Sequence, residues 1–163
     1  MKQDVKPLNY QDSVSLIVYT AILGGYDTLP TLSSYHATIR YICFTDTPEA
    51  FSSSDSVCEN WLLVPISSFF VDKKIMNGFL KSNSDLLFGK NTISVWIDAN
   101  LKRININPEF IIKAVSETPI ATPPHRQRSR VAEETDIVIS LGLEHRSSAI
   151  KNLRNITAQG YQD

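Results

Sequence analysis

Asp98 and Asn100 are the residues whose type and spacing most readily do chemistry in this chain. They follow an apolar run, Ile93 to Ile97, that stops abruptly at the acid. A carboxylate and a side-chain carbonyl two positions apart can offer oxygen ligands to a hard cation. In open α/β sheets, ligands gather outside the carboxyl ends of the strands. The plain alternative is a turn, in which Asp and Asn bond their own backbone. Two other apolar stretches end in the same manner. Arg40-Tyr41-Ile42-Cys43-Phe44 runs into Thr45-Asp46, and Val14 to Thr20 runs into Ala21-Ile22-Leu23-Gly24-Gly25-Tyr26-Asp27. A glycine pair after a strand lets backbone N–H groups approach a ligand closely. It is neither a dinucleotide fingerprint nor a Walker loop, and by itself it reads as a turn.

The elements that must position these residues follow from periodicity. Short β-branched runs predict strands over 14–20, 40–46, 61–66 and 92–98, with Pro65 marking an edge or a strand end. Ile75, Met76, Phe79, Leu80, Leu86 and Leu87 recur at helical steps, so 72–88 reads as one helix capped by Asp72, weakened at Gly78 and ended by Gly89. Asn107 caps a further helix with Pro108 at its first position. Pro119 to Thr122 reads as a short strand, broken by Pro123-Pro124 before a basic loop that opens with His125. Helices are expected from Ser129 or Arg130 to Leu143 and from Glu144 to Gln159, with a strand as the alternative over 136–141. Residues 28–38 and 47–60 read as irregular, and residues 1–13 as a loose lead-in. Strands alternating with helices predict an α/β domain over 14–163, a mostly parallel sheet with helices on both faces. If the strands ending near Thr20, Asp46 and Asp98 are neighbours, their polar ends meet on one edge.

Composition bounds the class. The 163 residues are 42% apolar and 20% charged, ordinary for a globular domain with a sizeable core. A net charge of −1 gives no global field for nucleic acid or an anionic membrane, and no segment reads as a membrane span. Basic residues cluster in 125–130 and 145–154, which usually means a solvated face. Cys43 and Cys58 have no metal-ligand spacing, so zinc is not expected. The polar N-terminus and short first apolar run do not read as a signal peptide, and a cytoplasmic location is the expectation. Asn155-Ile156-Thr157 matches a glycosylation acceptor that matters only in a secreted protein.

The ordered set Tyr19-Thr20-Ala21-Ile22-Leu23-Gly24-Gly25-Tyr26-Asp27, Tyr41 to Asp46, Trp61 and Pro65, Ser94 to Asn100, Pro124-His125, Arg128 and Glu133-Glu134 resembles one known pattern. It is similar to the glycosyltransferase-like domain first catalogued as a domain of unknown function. Plant mucilage-related and turgor-regulation proteins share that domain with bacterial proteins of polysaccharide gene clusters. The resemblance runs from about residue 14 to the end of the chain. It implies a Rossmann-like GT-A sandwich that binds a nucleotide-sugar donor and transfers the sugar to a glycan or polysaccharide acceptor. It also implies a divalent cation, Mn or Mg. Asp98 and Asn100 stand at the D-x-D-like metal position, with His125 as a later metal ligand or sugar contact. Thr20, Ala21, Gly24, Tyr26 and Asp27 form the first loop, which meets base and ribose. Asp46 stands at a ribose or base contact, and Lys81 and Arg128 could reach the diphosphate. The pattern continues past the point where this sequence stops, so an incomplete domain is expected.

Each of these residues keeps its plainer alternative. Asp46 caps a turn, Lys81 is a solvated helix lysine, His125 is an exposed loop histidine, and Glu133 and Glu134 complement a helix dipole. Asn100 in place of an acid brings a ligand oxygen without charge, which lowers metal affinity. Sugar transfer needs the leaving diphosphate neutralised and the donor held in place, and the residues above offer both. None of them stands out as a catalytic base. The competing reading is a non-catalytic nucleotide-sugar or carbohydrate binding or assembly domain on the same fold.

Overall fold

A computed structural model of the chain describes residues 16–51, 60–67, 72–118, 120–122 and 130–159. The chain divides into two compact units, Met1–Pro119 and Ile120–Asp163.

The first unit is α/β. β1 (Leu16–Ile22) is wholly buried, as its run of Leu, Ile, Val and Tyr requires of a central strand. β3 (Ile39–Thr45) pairs parallel to it, Leu16 opposite Ile39 and Ile22 opposite Thr45. β4 (Leu62–Pro65) pairs parallel to β3, and β5 (Ser94–Trp96) pairs parallel to the other side of β1. The order is therefore β4-β3-β1-β5. Pro65 ends β4 on the edge, where its missing N–H leaves no ladder bond unmade.

Alternation along the strands divides the core between two faces. Ile17, Tyr19 and Ala21 of β1 pack with Ile42 and Phe44 of β3, under Met76 and Leu80 of α1 (Lys73–Ser82) and against Leu87 and Phe88 of α2 (Ser84–Phe88). On the other face Leu16, Val18 and Ile22 pack with Tyr41, Cys43 and Trp61, with Ile104 and Ile106, and with Ile111 of α3 (Pro108–Glu117). That face also carries a short parallel pair, β2 (Thr31–Leu32) with β6 (Arg103–Ile104), through Leu32 and Ile104. The Trp61 indole N–H donates to the Pro30 carbonyl at 3.2 Å, tying the β1–β3 connection to the core.

The second unit is a pair of packed helices, α4 (Val131–Ser140) and α5 (Arg146–Ala158). Gly142 turns the chain between them at φ 66°. Among its described residues Ala149 is the buried one, and Leu141 and Leu143 stand exposed.

Several sequence expectations are corrected. The 72–88 helix is two helices. Its break is at Asn83 (φ −124°), where the Asn83 amide bonds back to the Phe79 carbonyl at 2.8 Å and competes with the helical ladder, and the chain runs through Gly78 as helix. Gly89 does end α2, at φ 88°. Asp72 caps α1 by accepting from the Lys74 N–H at 2.7 Å, and Asn107 caps α3 by accepting from Phe110 at 3.1 Å. The strand expected over 92–98 forms only over Ser94–Trp96. Residues 120–122 lie outside any strand, whereas Asp136 to Ser140 belong to the expected helix and not to its extended alternative. The lead-in, Cys58, His125 and Arg128 fall outside the described residues. Among the described residues no helix is long and apolar enough to cross a membrane.

Candidate functional site

Because β3, β1 and β5 are consecutive and parallel, Asp46, the Leu23–Asp27 segment and Asp98 emerge side by side at one edge of the sheet. Connectivity singles out the gap between β1 and β5. The chain leaves β1 toward β3 over one face, through Leu29 and Leu32, and reaches β5 over the other, through α1 and α2. Strand order reverses there, and that reversal opens a crevice at the carboxyl ends of such sheets.

Two lysines of α1 reach this edge. They lie about two turns apart and flank the buried Met76–Leu80 stripe. Lys73 Nζ sits 3.1 Å from Asp46 Oδ2, while Asp46 Oδ1 accepts the Gly24 N–H at 2.7 Å. The Asp46 side chain is only 16% exposed. The Gly24 N–H holds its carboxyl below the usual carboxylate range, with Lys73 adding to this and burial opposing it. Gly24 has φ 77°, and a Cβ there would lie 2.6 Å from Lys73 Nζ and 2.9 Å from Tyr26 Cε2. The missing side chain thus makes room for an ammonium and a ring edge together. Tyr26 is 86% exposed, and Asp27 is exposed beside it.

Asp98 lies just past β5, in a turn closed by the Leu101 N–H on its carbonyl at 3.2 Å. Its Oδ1 accepts the Trp96 indole N–H at 2.7 Å and the Lys81 ammonium at 3.3 Å. Lys81 Nζ also stands 5.9 Å from the Trp96 ring centroid. Lys81 and Asp98 are 53% and 57% exposed. Beneath them Tyr19 meets Trp96 edge-on at 5.2 Å and Phe88 at 4.9 Å, and its hydroxyl donates to the Lys81 carbonyl at 3.2 Å.

Gly24, Tyr26, Asp27, Asp46, Lys81, Asp98 and Asn100 therefore belong to one sheet edge, with Asn100 exposed in the same turn as Asp98. Thr20 and Ala21 do not belong to the loop. They sit inside β1, 0% and 6% exposed, because the strand runs on to Ile22. Buried Thr20 Oγ1 has no hydrogen-bond partner. Thr20→Val should consequently be neutral or stabilise the fold by about 1 kcal/mol in a denaturant titration. A loss above that size would give the hydroxyl a role that its surroundings do not.

Lys73 and Trp96 were not singled out as site residues from sequence. Lys73 looks like any helix lysine until the Gly24 cradle is seen. Trp96 could have been found from alternation, since it stands two residues before Asp98 on the strand that delivers it.

Of the three expected metal ligands, Asp98 and Asn100 share one turn and His125 lies outside the described residues. Asp98 Oδ1 already carries an ammonium and an N–H donor, Asn100 adds no charge, and no three of His, Cys, Asp and Glu among the described residues come together as a metal-holding group. A cation on that oxygen would stand against Lys81.

No protein-family model, curated protein or solved structure matches the chain.

Proposed function

We propose that this sheet edge binds a nucleoside-diphosphate sugar and that the chain is the donor-binding part of a glycosyltransferase of GT-A type acting in polysaccharide or glycan synthesis. The observation that carries the reading is the convergence of the Gly24–Asp27 loop, Asp46 and Asp98 beside the β1/β5 crevice, flanked by Lys73 and Lys81. An exposed tyrosine supplies a face for a planar base. The Lys81 ammonium supplies counter-charge for a diphosphate, while Lys73 pairs with Asp46 under the loop. The acceptor would be a glycan hydroxyl. A non-catalytic binding or assembly role is the second reading, favoured by Asn100 where an acid would strengthen a metal site.

A panel of nucleoside diphosphates in thermal shift, with and without manganese, tests the donor site. A nucleotide held at about 100 times its Kd stabilises the fold by about 2.7 kcal/mol, a rise of several degrees for a domain of this size. Gly24→Ala should abolish that rise, because its Cβ displaces Lys73 and Tyr26 together. A flat profile across the panel would refute the donor site. Nucleotide binding with no slow hydrolysis of any sugar donor would favour the binding role over transfer.

A further inference from the structure

We infer that Lys81 is the cation of this site, parked on Asp98 until a diphosphate takes its place, so that the ligand is held by exchange of one anion for another rather than through a bound metal. The inference rests on the donor-site reading and specifies its chemistry.

The two lysine–carboxylate pairs on α1 differ in a way that assigns them different work. Lys73–Asp46 is a lock. Asp46 is largely shielded, and it gives one oxygen to the Gly24 N–H and the other to Lys73, so one carboxylate holds the β1 loop and the start of α1 together. Lys81–Asp98 has no such tie. Both groups are more than half exposed, their contact is longer at 3.3 Å, and a pair in that setting contributes little to stability. The Trp96 indole N–H fixes the carboxylate independently of Lys81, and the Trp96 ring gives the ammonium a second resting place. The ammonium is thus kept at the crevice mouth without being committed there. A diphosphate oxygen carries more charge than one carboxylate and offers a stronger charge-assisted bond, so the exchange runs toward the ligand. Asp98 is then a placeholder that competes with the ligand for Lys81. A metal ligand at the same position would have the opposite effect on affinity.

That opposition of sign is the test. UDP and GDP are titrated calorimetrically into the intact protein in EDTA at fixed ionic strength, and again in manganese. Asp98→Asn keeps an acceptor for Trp96 and removes the charge. It should tighten binding in EDTA by about 3- to 10-fold, and Lys81→Met should weaken it by at least that factor. In the Lys81→Met background Asp98→Asn should change affinity less than twofold, because no lysine remains to be released. Equal tightening in both backgrounds would reduce Asp98 to general repulsion and overturn the exchange. Binding that appears only with manganese and is lost in Asp98→Asn would overturn it too, while leaving the donor site standing. No binding of either nucleotide under any condition would remove the donor site itself. Both substitutions are at exposed side chains, and unchanged melting temperatures without ligand would confirm that each variant is folded.

Discussion

Tyr19→Ala should lower the unfolding free energy by about 3–5 kcal/mol, the range for deleting a buried aromatic ring from a packed core. Tyr19 is 1% exposed at the centre of the sheet and holds three elements at once. Its ring meets Phe88 of α2 and Trp96 of β5 edge-on, and its hydroxyl donates to the Lys81 carbonyl at 3.2 Å and the Leu80 carbonyl at 3.4 Å. Those carbonyls belong to the last turn of α1, where the helix has no internal donors left to offer. Tyr19→Phe keeps the ring and loses only the hydroxyl, so about 1 kcal/mol is expected. A urea titration of the two variants separates ring from hydroxyl. A Tyr19→Ala cost no larger than that of Tyr19→Phe would mean that Phe88 and Trp96 hold their places without the ring. The functional consequence follows from the same contacts. With the ring gone, Lys81 and Trp96 lose their common support, and the Lys81–Asp98 distance should spread even in the fraction that remains folded.

The sheet was legible because its two central strands, β1 and β3, are buried on both faces and so appear as unbroken apolar runs, which periodicity and length identify. The meeting of the Asp46 and Asp98 strand ends was legible for the same reason. A parallel α/β order leaves few places for the polar residues that terminate such runs. What local sequence could not show is which groups hold one another. The split of 72–88 at Asn83 depends on a side chain competing with the helical ladder, and a polar residue beside a glycine does not announce which of the two breaks a helix. The β2–β6 pair joins two-residue segments some seventy positions apart, too short to carry any alternation. The placement of Ala21 turned on where β1 stops, two residues past the expected end at Thr20, and that difference separates a loop contact from a buried strand residue. Lys73 was invisible because its significance lies in the missing side chain of Gly24, forty-nine positions away.

Asp46 should make the fold of the first unit depend on acid. Its carboxyl titrates below its ordinary value because the ionised form accepts the Gly24 N–H and pairs with Lys73. The native state therefore binds that proton less readily than the unfolded chain does. A carboxylate depressed on folding contributes stability that is present in full above the unfolded value, near 3.8 here, and is lost as pH falls through the folded value. Asp46→Asn leaves an oxygen for the Gly24 N–H and removes the charge that holds Lys73. It should cost about 1–2 kcal/mol at pH 7, the range for losing a charge-assisted hydrogen bond that is partly shielded. As pH drops from about 5 toward 2, wild type should lose stability faster than the variant until the two curves converge. Parallel curves across that range would show that Asp46 is no more stabilised in the folded chain than in the unfolded one. Asp46→Ala leaves the Gly24 N–H without its acceptor as well, and should cost about 2–3 kcal/mol. The same substitution frees the loop at φ 77° and releases Lys73 from above it, so nucleotide affinity should fall together with stability. Asp98→Asn, in contrast, should leave stability almost untouched, since its pair is exposed and worth at most about 1 kcal/mol. Two acids at the ends of the strands on either side of β1, each facing a lysine of one helix, are thereby separated by experiment. One holds the loop in shape, and the other holds a charge in reserve.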